Sequence, residues 1–257
     1  MKLNNKIAIV TGGASGLGRA TCEQLVNKSV RVAILDVNEE AAIQTVKELG
    51  ENNAIFIKVD VTSDTSVESA FKEVIAKYGQ IDICVNCAGI APAAKVLDRE
   101  NNAMPLDKFS SVIGVNLIGS FNVARVAAQY MSSNAPDENN ERGVIINTAS
   151  IAGYEGQMGQ SAYAASKGGI IAMSLPMARD LAKTGIRVNA IAPGIMGTPL
   201  LLGMPEHVQE SLVENIQFPK RMGYPSEFGD LVVHISQNAY INGEAIRLDG
   251  AMRMQPR

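Results

Sequence analysis

Three residues in the stretch NTASIAGYEGQMGQSAYAASKGG, positions 147–169, have the types and spacing to move a proton. Ser150 precedes Tyr163 by thirteen residues, and Lys167 follows Tyr163 by four. Residues at i and i+4 share one helix face, so a helix here brings ammonium and phenol together. A nearby cation favours the phenolate and draws a tyrosine pKa down from about 10 toward working pH. The sequence therefore predicts that Lys167 lowers the pKa of Tyr163. The chain is only 5% aromatic, and this tyrosine sits one helical turn before a lysine, just downstream of an apolar strand. That placement needs a scaffold.

Short apolar runs recur along the chain at 6–12, 31–36, 54–61, 81–89, 143–150, 186–194 and 244–250. They are β-branched and nearly continuous, the pattern of strands buried on both faces of a parallel sheet. Between them lie segments of helical spacing, such as EEAAIQTVKELG and TSVESAFKEVIAKYG, ending at glycines suited to a helix C-cap. Alternating elements of this kind predict an α/β fold: a doubly wound, seven-stranded parallel sheet flanked by helices, a Rossmann fold, as a single domain over 1–257. No repeat or interdomain linker interrupts it. Two polar stretches, 93–107 and 132–143, read as surface loops. A third, 195–223, is rich in Leu, Met and Pro and directly follows a strand. Ligands of such folds bind outside the C-terminal strand ends, so 195–223 is expected to form an apolar lid, the alternative being an ordinary pair of surface helices.

The rest of the composition narrows the function classes. The 257 residues are 46% hydrophobic and 19% charged, with mean hydropathy +0.06. Net charge is −3 and the pI about 5.5, which argues against nucleic acid or an anionic membrane as partner. No apolar run approaches the roughly 18 residues that cross a bilayer. The N-terminus reads as a first strand rather than a signal or transit peptide, which points to the cytoplasm, with the mitochondrial matrix as the alternative. Cys22, Cys84 and Cys87 suit a reducing compartment. Cys84 and Cys87 form a C-x-x-C at a strand end, not at the helix N-terminus a redox pair needs. Zinc would need further ligands, and His207 and His234 are isolated, expected on helix surfaces. The cysteines are read as structural, with no metal site.

VTGGASGLGRA places Gly12, Gly16 and Gly18 between the first strand and first helix. Glycines there let the backbone turn tightly and approach a pyrophosphate seated on the helix N-terminus. The spacing departs from G-x-G-x-x-G, so the turn alone is a weak signal. Asp36 strengthens it: a carboxylate ending the second strand can accept both ribose hydroxyls of an adenosine and repels a 2′-phosphate. Arg19 is the contrary hint. The balance favours NAD over NADP.

TGGASGLG, NCAG (86–89), Asn116 in VNLIGS, Ser150, YAASK (163–167) and APG (192–194), in this order and spacing, resemble the short-chain dehydrogenase/reductase family over essentially the whole chain. Within it, RGVIINTAS, EGQMGQSAYAASKGGI, APGIMGTPLL and NGEAIRLDGAMRMQP are most similar to the 3-hydroxyacyl-CoA dehydrogenase branch. Cys87 departs from the Asn of many members, and it is not read as inactivating. The resemblance implies Tyr163 as general base, Ser150 as hydrogen-bond partner of the reacting oxygen, Lys167 on the cofactor ribose, and Asn116 positioning a water in the proton path. It also implies cofactor contacts at Gly12, Ser15, Gly16, Leu17, Gly18, Asp36, Asp60, Val61, Cys87, Ala88, Gly89, Tyr163, Lys167, Pro193, Gly194, Met196 and Thr198. Gln157 is the expected additional substrate contact, beside Ser150 and Tyr163.

The leading expectation is an NAD-dependent oxidoreductase of fatty acid metabolism, a homotetramer interconverting 3-hydroxyacyl-CoA and 3-ketoacyl-CoA. Leu200, Leu201, Leu202 and Met204 offer an apolar wall for an acyl chain, and Lys220 and Arg221 two cations for coenzyme A phosphates. Alternatives are a steroid or other secondary-alcohol dehydrogenase, a carrier-protein-linked reductase (disfavoured by Asp36), and a non-catalytic scaffold of the same fold.

Overall fold

The protein is described by a computed structural model covering residues 1–256, with the side chain of Leu200 outside the described set. Seven strands form one sheet in the order β3-β2-β1-β4-β5-β6-β7, with every pair parallel. They are β1 (Ile7–Thr11), β2 (Arg31–Asp36), β3 (Ala54–Lys58), β4 (Ile83–Asn86), β5 (Gly143–Thr148), β6 (Ile186–Pro193) and β7 (Ala245–Leu248). Each expected strand is present, β2 at its full expected length and the other six shortened. Every residue of β1, β4, β5 and β6 is buried, as their unbroken apolar runs require.

Helices cover both faces: α1 (Gly16–Val26), α2 (Glu39–Leu49), α3 (Asp64–Tyr78), α4 (Leu106–Ile113), α5 (Ser120–Met131), α6 (Ser161–Leu181), α7 (Pro199–Leu202), α8 (Glu206–Glu214) and α9 (Pro225–Gln237). Local chemistry sets their ends. The side chains of Asn38 and Ser63 accept from the amides of Ala41 and Ser66, closing the first turns of α2 and α3. Gly79 ends α3 in the left-handed conformation that a side chain disfavours. His207 and His234 are exposed on α8 and α9.

Two features go beyond the sequence reading. The polar stretch 93–107 runs into α4, and α4 continues through a π-turn, Gly114–Gly119, into α5. The resulting segment, Leu106–Met131, is long and apolar enough to cross a membrane by length and composition, although no bare apolar run announced it. More than half of its most apolar window is buried against the rest of the protein, which is the placement of a core helix.

The winding direction changes between β1 and β4, so the crevice at their carboxyl ends is where this topology puts a ligand. Asp82 ties the opposite ends together. Its buried carboxylate accepts from Ile7 N at 2.9 Å, Gln80 Nε2 at 2.9 Å and Lys6 Nζ at 2.8 Å. Asp82→Ala leaves the Ile7 amide and the Lys6 ammonium without this partner, and is expected to cost about 2–3 kcal/mol in urea unfolding. A change below about 0.5 kcal/mol would mean that water replaces the carboxylate freely.

Candidate active site

The turn from β1 into α1 lies flat against the end of β4. A Cβ at Gly12 would stand 2.8 Å from Ala88 N, and one at Gly18 only 2.2 Å from Gly12 O. Gly12 also adopts φ +63°, so neither position accepts a side chain. Thr11 Oγ1 accepts from Cys87 N at 3.1 Å and Ala88 N at 3.2 Å, locking the two turns together. Asp36 closes the far side: its Oδ2 accepts from Ala14 N at 3.0 Å and its Oδ1 from Asn38 N at 2.9 Å.

A cleft of about 410 Å³ results. Of the expected cofactor contacts it is lined by Gly12, Ser15, Gly16, Leu17, Gly18, Asp36, Asp60, Val61, Cys87, Ala88, Gly89 and Thr198. Leu35, Val37, Val59, Ile90 and Val115 also line it. No residue type marks them in the sequence; strand register alone could have found them, since they flank the singled-out positions.

Five expected contacts fall outside this lining. Gly194 packs against the Asp249 backbone, where a Cβ would come within 3.0 Å of Cα, and Pro193 is buried as the last residue of β6. The Met196 side chain turns into the core against Gly223, so any contact it makes with a cofactor must run through its backbone. Tyr163 and Lys167 belong to the adjacent cluster instead.

That cluster gathers around a buried ammonium. Lys167 is 5% exposed and donates to Thr148 O at 2.6 Å. Its Nζ lies 5.7 Å from the centroid of the Tyr163 ring, one turn earlier on α6 as the spacing required. Gly89 joins the cluster to the cleft, since a Cβ there would be 3.7 Å from Lys167 Nζ and 3.2 Å from Asn116 Oδ1. Asn116, within the π-turn, is fully buried. Its Oδ1 accepts from Ile90 N at 2.8 Å, and its Nδ2 donates to Ile90 O at 2.9 Å and Ser166 Oγ at 3.1 Å. Both amide hydrogens and one lone pair thus clamp the β4 loop to α6. Ser150 Oγ accepts from Ala152 N at 3.1 Å, and its hydroxyl favours the Tyr163 phenolate.

The protonation pattern corrects the sequence reading. Burial raises the Tyr163 pKa above its usual value, and the Ser150 hydroxyl pulls part of it back. Burial lowers Lys167 to about 8, partly offset by the neighbouring Cys87. Lys167 therefore does not create a phenolate by itself: the desolvation that brings it close also disfavours charge on the tyrosine. Cys87 is pushed up to about 11 by burial, against the pull of Thr148 and Lys167, and Cys84 is raised by burial inside β4. Both stay thiols at neutral pH, consistent with a structural role.

Segment 195–223 folds as α7, α8 and connecting turns, and a cavity of about 780 Å³ lies between α8 and residues 220–224. Leu202 lines it, but so do Glu206, Glu210 and Glu214. Arg221 does not wait for phosphate. Its guanidinium forks onto Glu227 at 2.8 and 2.9 Å and stacks 4.0 Å from the Tyr224 ring. Lys220 donates to Glu214 O at 3.2 Å. The expected pair of coenzyme A cations is thus engaged within the protein, and the Leu200 side chain lies outside the described residues. Gln157 lines a separate depression with Ala94, Lys95 and Val96, its amide donating to Gln255 O at 3.0 Å.

Comparison with known proteins agrees with this geometry. Residues 6–208 match the family described as short chain dehydrogenase. The chain is 51% identical over 251 residues to 3-hydroxyacyl-CoA dehydrogenase type-2 of Homo sapiens, covering 97% of this chain and 96% of that one. It is 46% identical to the Drosophila melanogaster protein of the same name, over 99% and 100% of the two chains. The crystal structure of 3-hydroxyacyl-CoA dehydrogenase type-2 from Mycobacterium avium matches with a TM-score of 0.94 at 42% identity, covering both chains fully. With a parallel sheet, a glycine turn at its switch point and a Ser-Tyr-Lys cluster beside that turn, the chain is an oxidoreductase and belongs to the short-chain dehydrogenase family.

Proposed function

We propose that the protein interconverts 3-hydroxyacyl-CoA and 3-ketoacyl-CoA with NAD. The observation that carries this reading is the junction at Gly89. It joins a cleft ending in Asp36 to a cluster holding Ser150, Tyr163 and Lys167. The cradle at Gly12 and Gly18, which a Cβ would fill, and the Asp36 carboxylate fit a dinucleotide with free ribose hydroxyls. When bound, the nicotinamide supplies the hydride acceptor or donor. The chain's own groups handle the proton. Tyr163 Oη takes it from the substrate hydroxyl, and Ser150 Oγ hydrogen-bonds the oxygen that becomes the carbonyl. Lys167 holds the ribose through its ammonium, and Ser150 opposes the burial that raises the tyrosine. Asn116 fixes the loop over which the cofactor lies, and a water beside it completes the proton path.

Arg19 supports NAD over NADP, because its guanidinium is bound to Glu23 at 3.0 Å and also to Glu48. The acyl-CoA assignment rests on the relatives named above. Residues 195–223 serve as the lid, with Leu202 toward the acyl chain. Exposed apolar side chains at Ile118, Phe121 and Leu175 support self-association into the homotetramer that the family resemblance implies.

Substrate choice is tested by comparing acetoacetyl-CoA, free acetoacetate and a steroid ketone with NADH. Acetoacetyl-CoA is expected to have the highest kcat/KM, because remote binding orients the reacting end. A higher value for either other ketone overturns the acyl-CoA reading. Tyr163→Phe is expected to cut kcat by about 10²-fold or more while NADH still binds, the usual worth of a general base. A variant keeping more than about a tenth of the rate would remove Tyr163 from that role. Asp36→Ala is expected to shift preference toward NADP, as the repelling carboxylate is gone. Equal use of NADPH by the unaltered enzyme would refute Asp36 as selector.

A further inference from the structure

The connection between Ser150 and Tyr163 carries both groups assigned to the reacting oxygen, yet its second half has no regular structure. The first half is a 3-10 turn, Ile151–Gly153, pressed onto α6: a Cβ at Gly153 would lie 2.8 Å from Lys167 C. Gly156 also packs on α6, where a Cβ would lie 2.7 Å from Ala164 Cβ, and the C-terminal tail holds residues 155, 157 and 158 from the other side. Arg247, on β7, donates to Glu155 Oε1 at 2.5 Å and stacks 5.3 Å from the Tyr154 ring. The other oxygen of Glu155 accepts from Met254 N at 3.1 Å. Gln157 Nε2 donates to Gln255 O and Met158 N to Pro256 O, each at 3.0 Å. Asp249 Oδ2 and Met252 O accept from the same Arg247, at 2.7 and 3.0 Å.

We propose that Glu155 and Arg247 are positioning residues. Their ion pair, with the main chain of 252–256 laid along 155–158, fixes where Ser150 and Tyr163 stand relative to each other. The consequence for rate rests on the function proposed above. Both partners are only 24% exposed, so the pair is shielded from the solvent screening that weakens surface bridges. None of the clamp residues lines the nucleotide cleft. The clamp therefore acts on proton transfer and substrate placement, not on cofactor affinity.

The test compares Arg247→Met, Glu155→Gln, the double variant and Arg247→Lys in the full-length protein. Three quantities are read: NADH-linked reduction of acetoacetyl-CoA, NADH affinity by fluorescence, and amide hydrogen exchange. Each uncharged single variant is expected to lose about tenfold or more in kcat, the scale of a misplaced reacting group. The double variant should lose less than the two single losses combined, since all three lack the same ion pair, while Arg247→Met also gives up its bonds to Asp249 and Met252 O. NADH affinity should stay within about twofold, because its site is untouched, and Arg247→Lys should recover part of the rate. Faster exchange should be confined to 151–162. Unchanged kcat overturns the proposal. So does a parallel loss of rate, NADH affinity and sheet protection, which would mark a purely structural role. If the unaltered protein does not reduce acetoacetyl-CoA, the functional reading falls and exchange alone decides. Faster exchange limited to 151–162 in Arg247→Met then upholds the clamp, and unchanged exchange refutes it.

Discussion

Burying one ammonium group is the constraint around which this site is arranged. Lys167 has lost almost all contact with water, and its lowered pKa measures that cost. A fall from 10.5 to about 8 corresponds to roughly 3 kcal/mol against folding at neutral pH. The sign is unfavourable below pH 8, where folded and unfolded states both carry the charge, and the cost disappears as pH rises through 10.5. Its neighbours supply partial compensation: the Thr148 carbonyl at 2.6 Å and the face of the Tyr163 ring. A cation kept buried at such a cost is a candidate functional group.

The same burial governs Tyr163. Desolvation raises the phenol, while Ser150 and any positive charge brought by a bound cofactor favour the phenolate. The Tyr163 phenol is therefore kept protonated in the free protein. The sheet makes this possible by bringing distant segments to one point. The ends of β4 and β5 supply Gly89 and Thr148, the π-turn supplies Asn116, and α6 supplies Tyr163 and Lys167. Asn116 ties these elements through Ile90 and Ser166, so the loop after β4 and α6 share one hydrogen-bonded frame.

Much of this was legible in the sequence, because it depends on period and residue type. Seven apolar β-branched runs produced seven strands, and the i, i+4 spacing put Tyr163 and Lys167 on one face. Most of the expected cofactor contacts line one cleft, since strand ends and glycine turns mark them. What the sequence concealed depends on depth and partners. A lysine beside a tyrosine lowers the tyrosine pKa only where desolvation does not outweigh it, and nothing local reports how deeply α6 sets the pair. Arg221 looked available for phosphate because Glu227, six residues later, gives no sign that it will turn back to it. The π-turn at 114–119 has no compositional mark beyond glycines at its two ends. Contacts from β7 and the tail to Glu155 join residues almost a hundred positions apart, beyond any periodicity argument.

The central claim, a buried Lys167 whose charge is poised near neutrality, can be measured directly. Selective 13Cε and 15N labelling of lysine, with Lys167→Met to assign the signal, allows its titration to be followed by NMR in the free protein. A midpoint near pH 8 is the predicted result. A midpoint at or above the ordinary lysine value of 10.5 would contradict the account, because the ammonium would then be solvated or paired rather than buried.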